Sequence, residues 1–158
     1  MKIGITADHA GFEKKGELKE LLDKAGYAYE DFGAFSYDSQ DDYSDIIVPL
    51  AEAIAKGSIE KGIAICGSGV GVSIAANKFP GVRATLITET YSAHQGVEHD
   101  NMNLICLGGR VIGTALIWEV TEAFLKAKFQ DEERFKRRLD KVVEIERKNF
   151  KEQINNKN

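Results

Sequence analysis

The stretch Gly62-Ile63-Ala64-Ile65-Cys66-Gly67-Ser68-Gly69-Val70-Gly71-Val72-Ser73-Ile74-Ala75-Ala76-Asn77 constrains this chain more than any other. Ile63 to Ile65 is a short apolar run of the kind that forms a buried strand. Three glycines at alternate positions, Gly67, Gly69 and Gly71, then make a turn in which backbone amides approach a ligand closely. Val70 to Asn77 has helix composition, so the turn delivers a ligand to a helix N-terminus. Free N–H groups and the positive dipole end favour an anion there. The Cys66 thiol, at the strand end, and the Ser68 hydroxyl are directed at the same spot.

The flanking sequence repeats the strand-then-helix pattern. Lys2 to Ala7 is apolar-rich and reads as a strand, followed by the loop Asp8-His9-Ala10-Gly11. Phe12, Leu18, Leu21, Leu22 and Ala25 recur at helical spacing, and Gly26 stops the helix. Tyr27 to Phe32 predicts a second strand, and 33–42 a polar loop. Ile46, Ile47, Leu50, Ala51, Ile54 and Ala55 mark one amphipathic helix closed by Gly57. After Phe79-Pro80-Gly81 the pattern predicts a strand over 82–87, a helix over 90–98, a strand over 103–107 and a helix over 113–128. Such alternation implies an α/β fold: a single-domain, doubly wound (Rossmann-like) five-stranded parallel sheet. A charge-rich stretch over 130–149, with Phe135, Leu139 and Val142 on one stripe, adds an extra C-terminal helix that packs on something. One domain over 1–150 is expected, with a polar, fraying tail over 151–158.

Composition narrows the function classes. A net charge of -4 argues against nucleic acid or anionic membrane as a main partner. No apolar run approaches a membrane span, and Met1-Lys2-Ile3-Gly4-Ile5 leads straight into a strand pattern, so no leader is expected. Two cysteines, Cys66 and Cys106, stand far apart in sequence, which suggests neither a zinc knuckle nor a disulfide framework. A reducing cytoplasm is the expected location.

In doubly wound sheets ligands sit beyond the carboxyl ends of the strands. That rule gathers Asp8, His9 and the segment from Cys66 to Gly71 on one edge. The glycine turn has a plain alternative, a tight connection with no ligand, but three alternate glycines favour an anion or a sugar. It lacks the third glycine of a dinucleotide fingerprint and the Gly-Lys-Ser/Thr ending of a P-loop. Cys66 precedes a helix N-terminus, a position that raises thiol reactivity. A cysteine phosphatase would place an arginine six residues on, where this chain has Val72. A redox pair would want a near second cysteine. The remaining role is a base that moves a proton. Cys106, inside an apolar strand, reads as core.

His94 and His99 flank one helix end but lie five apart, which disfavours a two-histidine metal site. On pattern alone His99 reads equally as a solvated loop histidine, in the polar turn Glu98-His99-Asp100-Asn101-Met102-Asn103. Arg134 and Arg138 share a helical face, and Arg110 follows Gly108-Gly109. Such arginines are ordinary surface charge or a phosphate clamp.

Together these motifs resemble ribose-5-phosphate isomerase of the B type, a family that also contains the galactose-6-phosphate isomerase subunits. The resemblance is carried by Asp8-His9-Ala10-Gly11-Phe12, Asp42-Tyr43, Ile65 to Gly71 with Ser73 to Lys78, Gly81-Val82-Arg83-Ala84, Tyr91-Ser92-Ala93 and Gly108 to Gly113. It implies an aldose–ketose isomerase of phosphosugars, ribose 5-phosphate to ribulose 5-phosphate first, working without a metal or other cofactor. In the implied mechanism His99 opens the sugar ring and Cys66 carries a proton between C2 and C1 through a cis-enediolate. Ser68 and the amides from Gly67 through Gly69 and Val70 to Gly71 stabilise the oxyanion. Asp8, His9, Tyr43 and Asp100 contact substrate, and Arg110, Arg134 and Arg138 bind phosphate. The resemblance also implies a dimer or tetramer with shared sites, the segments around His99 and Arg110 being donated across the interface. Three departures bear on the substrate: Asp100 where the family usually has asparagine, Ser44 where it has proline, and Glu132-Glu133 before Arg134. They leave open a six-carbon or tetrose phosphate as substrate, or a phosphosugar-binding module without turnover.

Overall fold

The computed structural model describes the backbone of residues 1–155 and the side chains of residues 1–150. Its elements in chain order are β1 (Ile3–Ala7), α1 (Phe12–Lys24), β2 (Tyr29–Asp31), α2 (Tyr43–Ile46), α3 (Val48–Ala55) and β3 (Lys61–Cys66). They continue with α4 (Val70–Ala76), β4 (Ala84–Leu86), α5 (Thr90–Asp100), β5 (Leu104–Gly108), α6 (Thr114–Lys126) and α7 (Glu133–Asn155). The five strands form one parallel sheet in the order β2-β1-β3-β5-β4.

Alternation along the central strands sets the two faces. Ile63 and Ile65 of β3, with Ile105 and Leu107 of β5, pack under Leu18 and Leu22 of α1 and Ile117, Val120 and Phe124 of α6. The intervening Ala64, Cys66, Leu104 and Cys106 pack on the other face, with Leu50, Ala51 and Ile54 of α3 and Val72 and Ala76 of α4. Both faces are covered by helices, which is why the central strands are apolar at nearly every position.

The doubly wound sheet agrees with the fold expected from the sequence, and its corrections are local. The single helix expected across 46–55 is divided into α2 and α3, because Pro49 has no N–H to return to the Asp45 carbonyl. The helix expected to end near Glu98 runs on to Asp100 and closes at Asn101, in the left-handed region at φ 52°. His99 is thus a last-turn helix residue and not a loop histidine. The C-terminal helix extends through Asn155, so part of the tail expected to fray, 151–155, is helical backbone; residues 156–158 lie outside the described residues.

The topology fixes where a ligand can sit. After β1 the chain moves outward to β2; after β3 it moves the other way, to β4. The loops leaving β1 and β3 therefore diverge and open a crevice beyond the carboxyl ends of these two adjacent strands. The loop leaving β5, the other neighbour of β3, forms a third wall.

Candidate active site

The crevice is a cleft of about 470 Å³. The loop after β1 contributes Asp8, His9 and Ala10, the loop after β3 contributes Cys66, Gly67 and Ser68, and α2 contributes Tyr43. Arg110 and Val111, after β5, close it. Backbone bonds join the walls: Gly109 N–H donates to the Cys66 carbonyl at 2.8 Å and Arg110 N–H to the Gly67 carbonyl at 3.1 Å. Arg110 consequently belongs to the same cleft as Cys66 in the same chain. This corrects the expectation that its segment is donated from another copy; the adjacency of β3 and β5 suffices.

Cys66 ends β3 and is only 4% exposed, yet it lines the cleft. Its Sγ accepts the Gly69 N–H at 3.0 Å. The turn can make this bond because Gly69 sits at φ 82°, a conformation costly for any residue with a Cβ. A Cβ there would also lie 2.5 Å from Leu86 Cδ1. Ser68 Oγ accepts the Val70 N–H at 3.3 Å, which leaves the hydroxyl hydrogen free to donate into the cleft. Gly71 makes room for Tyr43, whose ring a Cβ at that position would meet at 2.7 Å. The expected residues Asp8, His9, Tyr43, Cys66, Gly67, Ser68, Gly71 and Arg110 thus share one cleft. Gly69 and Val70 follow in the same turn, as the N-cap and first residue of α4, and do not line the cleft. The buried Cys106, whose thiol burial pushes up from its ordinary value, is core as expected.

Two carboxylates shape the β1 wall. Asp8 is buried, and its Oδ1 accepts the amides of Ala10 at 2.9 Å and Gly11 at 3.0 Å, which folds the loop back on itself. Burial raises its carboxyl above the ordinary value while the two amides pull it down. Asp41 Oδ1 faces His9 Nδ1 at 2.7 Å and accepts the His9 backbone N–H at 3.1 Å. That bond to Asp41 raises His9 above the ordinary histidine value. Asp8, His9 and Asp41 bring one potential metal-ligand atom each within 4.8 Å of one another, but the set is already hydrogen-bonded within itself and to the loop amides.

The other expected site residues stand elsewhere. In a parallel sheet α5 leaves the carboxyl edge and returns to the amino edge, so its end, with His99 and Asp100, lies across the sheet from Cys66. His99 stacks on Phe135 of α7, ring centroids 4.1 Å apart and 12° from parallel, and its Nδ1 is 2.7 Å from Gln95 Nε2. Arg134 and Arg138, exposed on the first turns of α7, flank the buried Phe135 in sequence. One chain therefore separates the expected residues into two groups: a cleft with thiol, hydroxyl and amides, and a remote face with an imidazole and two guanidinium groups.

Residues 3–142 match the family model of the Ribose/Galactose Isomerases. The chain belongs to this family. It is 38% identical over 150 residues to "Putative sugar phosphate isomerase YwlF" of Bacillus subtilis (strain 168), covering 95% of this chain and 100% of the relative. It is 37% identical over 147 residues to "Ribose-5-phosphate isomerase B" of Escherichia coli (strain K12), covering 93% and 97%. Among solved structures, ribose-5-phosphate isomerase B of Clostridium thermocellum superposes with a TM-score of 0.88 at 44% identity, covering 94% of this chain and 99% of that one. The Mycoplasma genitalium enzyme, solved with bound ribulose-5-phosphate, gives 0.87 at 37% identity, covering 92% and 96%.

Sequence reasoning overlooked Asp41, which meets His9 from 32 residues away, and Phe135, the stacking partner of His99. Neither contact has a local signature. Phe135 was visible only as part of an apolar stripe.

Proposed function

We propose that the chain interconverts ribose 5-phosphate and ribulose 5-phosphate, in a site completed by a second copy of itself. The observation that carries the reading is the Cys66 sulfur held in the cleft by the Gly69 amide, beside the Ser68 hydroxyl and the Arg110 guanidinium. An opened aldose phosphate in this cleft presents its C2 hydrogen to the Cys66 thiolate. Removal of that proton sends an electron pair toward the C1 carbonyl and leaves negative charge on oxygen. The Ser68 hydroxyl and the turn amides stabilise this charge, a contribution of about 10²–10³ in rate for a single such donor. The Cys66 S–H exchanges with water in the open cleft, and Cys66 then delivers a proton to C1 while the O2 proton moves to O1, giving the ketose. C2 is oxidised and C1 reduced within one molecule, so the balance requires no outside electron carrier.

His99, Asp100, Arg134 and Arg138 enter from the second copy. His99 opens the furanose ring, Asp100 contacts the sugar, and the two arginines join His9 and Arg110 around the phosphate. Two features support a shared site: the separation of the two groups across the sheet, and the exposed apolar residues Val70, Ile74, Tyr91 and Val111 around the carboxyl edge. The reading places the protein in the cytoplasm, where the Cys66 thiol stays reduced; both cysteines are free, and no helix among the described residues is long and apolar enough to cross a membrane.

Asp100 favours a second reading, a different phosphosugar, since an ionised carboxylate accepts hydrogen bonds from sugar hydroxyls but donates none. Turnover of a panel of tetrose, pentose and hexose phosphates by the purified chain, with a chelator present, tests both. Preference for ribose 5-phosphate supports the first reading, preference for another aldose phosphate supports the second, and binding without turnover of any contradicts both.

A further inference from the structure

Asp41 lies behind the cleft wall, in the loop before α2, and touches the reaction only through His9. Its side chain is 10% exposed, and its Oδ1 receives both the His9 backbone N–H and the His9 ring. Those two bonds fix the loop and the ring together. Because Nδ1 is directed at the carboxylate, it carries a hydrogen, and Nε2 is the nitrogen left for the cleft that His9 lines. The second oxygen, Oδ2, is buried with no hydrogen-bond partner among the described residues. A neighbouring cation offsets the cost of burying such an oxygen, and the His9 imidazole is the group beside this carboxylate that can supply one.

We propose that Asp41 is a positioning residue that holds His9 with Nε2–H aimed into the cleft as a donor to the substrate phosphate. This rests on the phosphosugar reading above. His9 is faced by Asp8 from its own loop, by Asp41 and the edge of the Tyr37 ring from the loop before α2, and by Arg110 from the loop after β5. The two carboxylates favour the imidazolium and Arg110 opposes it. The net result is an imidazolium that persists to higher pH than an ordinary histidine, giving the cleft a second cation beside Arg110 where a phosphate dianion would enter.

The experiment compares the full-length chain with Asp41→Asn and Asp41→Ala, following the His9 ring by ¹⁵N NMR and the isomerisation of ribose 5-phosphate from about pH 5.5 to about pH 8. His9 should titrate at lower pH in both variants. At about pH 8, KM should rise about tenfold with kcat within about twofold, the pattern of a lost charge-assisted bond to a part of the substrate that does not react. Asp41→Asn keeps an acceptor for Nδ1–H, so its KM should return to the wild-type value at low pH. Asp41→Ala also releases the ring, so its KM should stay raised. An unchanged His9 titration in Asp41→Asn, or a loss confined to kcat, overturns the proposal. If Asp41→Ala does not fold, Asp41→Asn alone decides. If the wild-type chain turns over no ribose 5-phosphate, the isomerase reading fails on its own. The His9 titration, and the response of its ring to inorganic phosphate, then decide the role of Asp41 separately: a shift on phosphate addition that weakens in Asp41→Asn supports it, and equal shifts in both proteins overturn it.

Discussion

Cys66 and Gly69 are joined by a hydrogen bond from the Gly69 amide to the Cys66 sulfur, 3.0 Å long, closed within one turn at the end of β3. The bond fixes the sulfur in the cleft that Cys66 lines, which suits a proton carrier. Replacing the sulfur should remove the chemistry and leave the cleft. We expect Cys66→Ala to lower kcat by about 10³ or more while binding of ribulose 5-phosphate, measured by calorimetry, changes less than about threefold.

The donor side of the same bond is equally specific. Gly69→Ala must hold φ near 82° and place a methyl carbon against Leu86 and the β5 backbone. A loss of about 2–4 kcal/mol in urea unfolding is expected, with a lower kcat in whatever fraction folds. Gly26→Ala has a similar φ of 76° and no neighbour within 4 Å of its Cβ, so it should show the backbone cost alone, about 1–2 kcal/mol, and wild-type kcat.

A shared site makes a prediction that a single-chain site cannot. Cys66→Ala and His99→Gln should each be nearly inactive alone. Mixed and refolded together in equal amounts, they should recover about a quarter of wild-type activity, since half the dimers carry one intact site of two. No recovery in a mixture shown to contain hybrid oligomers contradicts sharing.

Stability has its own test at the amino edge of the sheet. Lys61 Nζ donates to the carbonyls of Phe124 at 2.7 Å, Leu125 at 3.2 Å and Ala127 at 2.7 Å, closing the end of α6. Burial lowers its ammonium to about 8, and the three carbonyls accept the hydrogens it would otherwise give to water. Lys61→Met should cost about 2 kcal/mol or more in urea unfolding, with kcat/KM for ribose 5-phosphate nearly unchanged.

The legible parts of this protein are those written in consecutive residues. Apolar runs give β1, β3 and β5, and the turn from Gly67 to Gly71 locates the cleft, because a turn that needs glycine at φ 82° must write glycine. Membership of Asp8 and His9 follows from the rule that loops at one sheet edge converge, and that of Tyr43 and Arg110 from the family resemblance. The Asp41–His9 and His99–Phe135 pairings were illegible because each joins residues 32 or more positions apart, by contacts that leave no periodic trace. The break between α2 and α3 was available in Pro49 and was masked by the continuous apolar spacing across it. The reach of α5 to Asp100 depended on Asn101 adopting a left-handed cap that any polar turn could have supplied.

Isomerisation of ribose 5-phosphate in deuterated water tests the central claim most directly. Proton carriage by Cys66 predicts solvent deuterium at C1 of the ribulose 5-phosphate formed by the wild-type chain, and none formed by Cys66→Ala. Ketose formed at the wild-type rate with no solvent deuterium at C1, or labelled equally by Cys66→Ala, would contradict it.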